Sequence, residues 1–440
     1  MKTRNKLTMA LGVTTVFALA LSGCSSSDDS GSGGDAAAVS TDEDITISLA
    51  WWGNDDRAAK YEQAVDLFEK AHPNITVQTQ FQAWDDYWTA RNTEAAGKAL
   101  PDVMQMDLSY LRQYAATGQL GDLSAQEGVN LDVSGLDESL LESGAIDGKQ
   151  YAIPTSTNTL ALFYNADITD ALGMEPPADG YTWDEFDQWF LDVAKAGASE
   201  DPAVYGGADY AVTFWFFLQW FMQSGEQPFT EDGQLNFTQD DMKEWLNSTA
   251  DLRDAKAVYP VEKAKQLEPL TGFTTNEAAA EVSWDNFLAG YVADSGTENI
   301  EMLPIPAGDD GQQHLFYKPS MLLAPSSSSE HPDAAAALID FLINDPEVGT
   351  IFGTSKGVPA VAAQRDAMDV EAGSIDEKVV AYEDSVADIV TESAPIPVQG
   401  FGAIEAEFKR LGEELQYGNI TVDEFVEQWW ANAEQNIPQS

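Results

Sequence analysis

The stretch "ITISLAWWGNDDRAAKYEQAVDLFEKAHPNITVQTQF", residues 45–81, changes its hydrophobic period twice. Ile45, Ile47, Leu49 and Trp51 share one face, and Thr46, Ser48, Ala50 and Trp52 share the other, which is the alternation of a strand. From about Asp55 the period lengthens. Ala58, Tyr61, Val65 and Phe68 recur at helical spacing, and Pro73 ends the helix because a residue before proline is pushed out of the helical region. Ile75, Val77, Thr79 and Phe81 then alternate as a second strand.

Working outward, the same alternation continues. A helix is predicted from Asp85 to near Gly97, a strand in "PDVMQM" (101–106), and a helix in "SYLRQYAATGQL" (109–120), closed at Gly118. This order predicts a mostly parallel sheet covered by helices. The pattern restarts with the strand "TLALFYN" (159–165). The helix "TWDEFDQWFLDVAKAG" (182–197) opens on a capping box of Thr182 and Glu185. A late strand, "SMLLAPSSS" (320–328), precedes the helix "DAAAALIDFLIND" (333–345), and the tail from Ala403 to Glu434 is helical.

A chain of 440 residues exceeds one ordinary core. Its 44% hydrophobic and 10% aromatic content is that of a globular protein. The formal charge of -52 speaks against nucleic acid, which needs clustered Lys and Arg, and reads as a well-hydrated surface. At the amino end, Lys2, Arg4 and Lys6 precede the apolar run Leu7 to Ala20, too short for a membrane span. That run leads into "LSGC", ending at Cys24, the only cysteine. The arrangement resembles the lipobox of bacterial lipoprotein signal peptides, which implies acylation of Cys24 and a signal peptide over 1–24. Residues 25–44 are small, polar and acidic, and read as a flexible tether. One cysteine allows no intrachain disulfide.

The sequence holds no P-loop, dinucleotide fingerprint or nucleophile elbow, and His72, His314 and His331 lack zinc-site spacing. Its 74 acidic residues supply carboxylate pairs everywhere, so counting does not decide for or against glycoside hydrolysis. Four segments mix rings with Asp, Asn or Gln: "WWGNDD", "QAWDDYW", "YAVTFWFFLQW" and "EVSWDNF". Sugars stack an apolar C–H face on aromatic rings and pair their hydroxyls with such polar groups. Trp51 continues the apolar strand face and is expected in the core, as are Phe216, Phe217 and Phe221. Trp52 sits at the carboxyl end of a strand, where open α/β sheets bind ligands. Trp284 follows an apolar run, beside Ser283, Asp285 and Asn286, and is expected to touch ligand.

The order of "FEKAHPNITVQ", "AAGKALPDVMQMD", "YAATGQLGDLS", "GKQYAIPTSTNTLALFYNADI", "TWDEF", "KGVPA" and "GNITVDEFVEQ" resembles a known family. It is that of the bacterial extracellular solute-binding proteins, family 1, the sugar-binding lipoproteins of ATP-binding cassette (ABC) importers that include maltose-binding protein. The likeness spans about residues 45–440. It implies an α/β, two-lobed, type II periplasmic-binding-protein-like fold with a ligand cleft between the lobes. Three interlobe crossings would fall near 155–159, 317–320 and 357–360, giving an N-terminal lobe of 45–155 plus 320–358 and a C-terminal lobe of 156–319 plus 359–440. Matched position by position, the resemblance implies ligand contacts at Trp52, Asn54, Asp55, Asp56, Asp107, Asn158, Phe214, Trp215, Trp284, Asp285, Asn286, Gln399 and Phe401. Met106 and Asn158 depart from the maltose binder, which carries an aromatic and a glutamate there, so the particular sugar stays open. The implied protein is a non-enzymatic monomer without cofactor or metal. It is held outside the cytoplasm by its lipid anchor, binds a mono- or oligosaccharide and delivers it to the transmembrane permease subunits. A polyamine binder of the same fold and a secreted glycoside hydrolase remain as alternatives.

Overall fold

The computed structural model describes residues 36–438 except residue 369. Cys24 and the signal segment lie outside the described residues. Ile45–Trp52 and Ile75–Gln82 form parallel strands in register from Ile45 opposite Ile75 to Trp52 opposite Gln82. The helix between them, Asp55–Ala71, starts where Asn54 accepts a hydrogen bond from the Arg57 N–H at 3.0 Å. It buries Ala58, Tyr61, Val65 and Phe68, the residues at helical spacing. Trp51 is 1% exposed, its ring stacked on Tyr61 with centroids 4.4 Å apart.

Two sheets organise the described chain. The larger has six strands in the order Val358–Pro359, Ile153–Asn158, Lys318–Pro325, Val103–Met106, Ile45–Trp52 and Ile75–Gln82. The smaller has four: Ile300–Pro304, Leu160–Asn165, Ala278–Trp284 and Tyr205–Gly207. The expectation of a mostly parallel sheet needs correction. Only the first three strands pair in parallel in the larger sheet; Lys318–Pro325, Ile153–Asn158 and Val358–Pro359 join antiparallel. Lys318–Pro325 and Val358–Pro359 return after the chain has passed through the smaller sheet, and Ile153–Asn158 pairs with these two instead of with the parallel strands, so the alternation rule does not set their direction.

The capping box is formed: the Glu185 N–H donates to Thr182 Oγ1 at 3.3 Å, and the Thr182 N–H donates to the Glu185 carboxylate at 3.0 Å. The helical tail resolves into Phe401–Gln416 and Val422–Asn436, packed on each other. Two boundary expectations change. The segment read as tether is bonded to the fold from Ala37 onward, because Asn130 Nδ2 donates to the Ala37 carbonyl at 2.7 Å and Asn74 Nδ2 to those of Ser40 and Glu43 at 2.8 and 2.9 Å. The helix Ala362–Ala367 packs on Pro332–Asn344 and Pro346–Phe352, whereas Ile375–Val386 packs on the strand Ile300–Pro304. The packing of these two helices places the change of sheet between Ala367 and Ile375. The halves meet closely enough that residues from Ala36 onward form one compact unit.

Candidate functional site

Asn158 ends a strand of the larger sheet and Leu160 begins one of the smaller, so Thr159 alone joins them. The Thr159 N–H donates to the Asp285 carboxylate and the Asp285 N–H to the Thr159 carbonyl, both at 3.0 Å. Thr157 Oγ1 donates to the Glu383 carboxylate at 2.8 Å, and the Tyr317 hydroxyl to the Glu383 carbonyl at 3.2 Å. Asp285 and Glu383 are buried against each other. Each keeps one carboxylate oxygen with no donor among the described residues, and one proton held between them would satisfy both. Burial pushes the Asp285 carboxyl up to about 7; burial, then the Asp285 charge, push Glu383 up as well.

Next to this joint, side chains from both sheets converge. Trp215, in the first turn of the helix Phe214–Met222, meets Trp284, the last residue of its strand, edge-on with centroids 5.7 Å apart. From the larger sheet come Asp107, which caps the helix Leu108–Ala116 by accepting from the Ser109 N–H at 2.9 Å, and Lys318, the first residue of its strand. The Lys318 ammonium lies 3.9 Å from Asp107 Oδ2 and 5.4 Å from the ring centroid of each tryptophan. Glu405 completes the group from the helix Phe401–Gln416. Burial, then the Asp107 charge, push its carboxyl up to about 7, against the opposing pull of Lys318 and the Trp215 side chain.

Beside this cluster is a cavity of about 670 Å³, within the range of small-molecule sites. One wall is Trp84, Ser109 and Tyr110, on helices that flank the larger sheet; the other includes Thr213, Phe214, Glu281 and Glu405. Trp84 is 40% exposed. Its rear contacts Trp52 edge-on with centroids 4.9 Å apart, and Trp88 stacks on Tyr110 at 3.8 Å. Burial pushes the Glu281 carboxyl up to about 8, so near neutral pH it carries a proton and can donate as well as accept. Flat apolar faces beside such groups fit a polyhydroxylated ring.

The family profile described as bacterial extracellular solute-binding protein matches residues 52–348, which span both sheets. The chain belongs to this family. Over 333 residues this solute-binding protein is 22% identical to the arabinooligosaccharide-binding protein of Bacillus subtilis, covering 74% of this chain and 73% of that one. It is 32% identical over 205 residues to the diacetylchitobiose binding protein of Streptomyces coelicolor, covering 45% and 44% of the two chains. Its fold superposes on a family 1 extracellular solute-binding protein from Alicyclobacillus acidocaldarius with a TM-score of 0.69 and 27% identity, over 89% of this chain and 98% of that one. The architecture is thus the two-lobed, type II periplasmic-binding-protein fold. No helix among the described residues is long and apolar enough to cross a membrane.

Within this solute-binding protein the residues expected at the ligand separate into groups. Asp107, Trp215 and Trp284 meet in the cluster described above, which reaches the cavity wall through Glu405. Asn158 lies opposite Lys318 in the sheet register, its Oδ1 without a donor among the described residues, as is Oδ1 of Asn286. Gln399 sits half-buried in the turn before the Phe401–Gln416 helix. Asn54, Asp55 and Asp56 are exposed at a helix start, and none lines the cavity. Phe214 reaches the cavity wall while its ring packs on Phe401, Phe408 and Trp429. Three expected contacts stand away from the cavity wall. Trp52 stands behind Trp84, Phe401 is wholly buried among Phe214, Trp215 and Phe229, and Asp285 is 0% exposed with its carboxylate committed to the Thr159 joint.

Four residues of the site escape the sequence reading: Trp84, Tyr110, Lys318 and Glu405. Trp84 lies inside the ring-rich "QAWDDYW", and Lys318 lies in an expected crossing, so both had a signal. Glu405 had none. Only the packing of its helix near Leu108–Ala116 brings it to Asp107.

Proposed function

We propose that this protein is the binding component of an ABC-type carbohydrate importer, holding an oligosaccharide between its lobes and delivering it to the permease. The cavity of about 670 Å³ carries this reading: aromatic rings from one half face carboxyls and further rings from the other, the lining a sugar requires. Two similar proteins, named for arabinooligosaccharide and diacetylchitobiose binding, support the carbohydrate class. The lobes in this reading are 45–158 with 318–367 and 160–316 with 375–438, and the protein acts as a monomer that binds without catalysis. Ligand contacts fall to Trp84, Tyr110, Asp107, Asn158, Trp215 and Trp284, with Asn286 and Gln399 at the margin. Calorimetric titration with arabinotriose, diacetylchitobiose and maltotriose tests the proposal, with chromatography of each mixture for products. Saturable binding of one of them without turnover is expected. Binding of spermidine with no response to any of the three would replace this reading by the polyamine one, and released sugar fragments would replace it by the hydrolase one.

Cys24, in its Leu-Ser-Gly-Cys context, is proposed as the acylated anchor that keeps the protein at the outer face of the cell membrane. Cys24→Ser is expected to release folded protein from the membrane fraction. Retention equal to wild type would refute the anchor.

A further inference from the structure

An aromatic pair flanked by carboxylates is a good site for a cation, since indole faces and negative charge both attract it. Beside the cavity, Trp215 and Trp284 supply the faces, Asp107 supplies a carboxylate, and the Glu405 carboxyl stands next to it. The place of the cation is already taken. Lys318 Nζ is 5.4 Å from both ring centroids and 3.9 Å from Asp107 Oδ2, on a side chain only 12% exposed. Its backbone is held by pairing with Asn158, which fixes the point from which the side chain enters the cluster.

We propose that Lys318 determines ligand class: its ammonium fills the cation position among Trp215, Trp284, Asp107 and Glu405, so that the cleft admits neutral polyhydroxylated ligands and rejects polyamines. The inference rests on the carbohydrate reading above and sharpens it. A second ammonium entering the cleft would meet a fixed like charge at close range with little water between them. A neutral sugar meets no such repulsion. Within the described residues the Lys318 ammonium makes no hydrogen bond, only the longer ion pair to Asp107, so its N–H groups are free for sugar hydroxyls. With the lysine removed, the Asp107 carboxylate would face two indoles uncompensated, which is a receptor for cations.

The test titrates spermidine into wild type, Lys318→Met and Lys318→Arg at low and physiological ionic strength, following heat and tryptophan fluorescence. Wild type and Lys318→Arg are expected to show no more than weak binding. Lys318→Met is expected to bind spermidine at least about tenfold more tightly than wild type, with the gain shrinking as salt rises. A Lys318→Met protein that melts cooperatively yet takes spermidine no better than wild type would overturn the proposal. Should Lys318→Met fail to fold, Lys318→Gln carries the same comparison, with the same two outcomes. Failure of the carbohydrate reading looks different: there the wild type itself binds spermidine and ignores neutral oligosaccharides.

Discussion

Trp51 and Trp84 place the same side chain in opposite settings, 1% and 40% exposed. Trp51 is packed between Tyr61 and Phe81, with centroids 4.4 and 6.1 Å away, so Trp51→Ala leaves a hole that its neighbours fill only in part. We expect it to cost roughly 3–5 kcal/mol of stability, seen as an earlier melt. Trp84 covers other rings with one face and turns the other to the cavity. Trp84→Ala is expected to melt close to wild type while losing about 1–3 kcal/mol of ligand binding, a five- to hundred-fold weaker Kd by calorimetry. Unchanged affinity in Trp84→Ala would remove the cavity from the binding site.

Among the elements, the joint at Thr159 couples the two sheets through a pair of carboxyls. Both sit above their ordinary range; the stability Asp285 contributes is complete below the ordinary carboxyl pKa of about 4 and is lost as pH rises through about 7, and that of Glu383 is likewise lost as pH rises. Tyr317, Tyr382, Arg365 and Asp384 are the other titratable and charged groups around the pair. Asp285→Asn keeps an oxygen for the Thr159 N–H and gives Glu383 a permanent donor in place of the shared proton. Wild type is therefore expected to lose melting temperature relative to Asp285→Asn between about pH 4 and about pH 7. Parallel melting curves across that range would show that no proton is shared at the joint.

For the whole molecule, the formal charge of -52 acts mainly on solubility and self-repulsion. In the proposed cleft the Lys318 ammonium is paired with the Asp107 carboxylate. Affinity for a neutral oligosaccharide is accordingly expected to change little between low and high salt, because screening has no ligand charge to act on. A steep loss of affinity with salt would point to a charged ligand.

Periodicity alone determined the strands Ile45–Trp52 and Ile75–Gln82, the helix between them and the core position of Trp51, since each depends on side chains a few residues apart. The capping box at Thr182 was legible for the same reason. The proposed site was legible in part: Asp107, Trp215 and Trp284 were named from sequence, while Trp52, Phe401 and Asp285 carry the same chemistry and are buried away from the cavity wall. Only the tertiary structure decided which ring of a polar-aromatic segment meets the cavity, that Asp285 pairs with Glu383, and that Lys318 and Glu405 stand at one cluster with Asp107. Local sequence cannot carry this. The members of that cluster lie on strands and helices far apart in the chain, and their approach is set by how two separately buried hydrophobic faces pack.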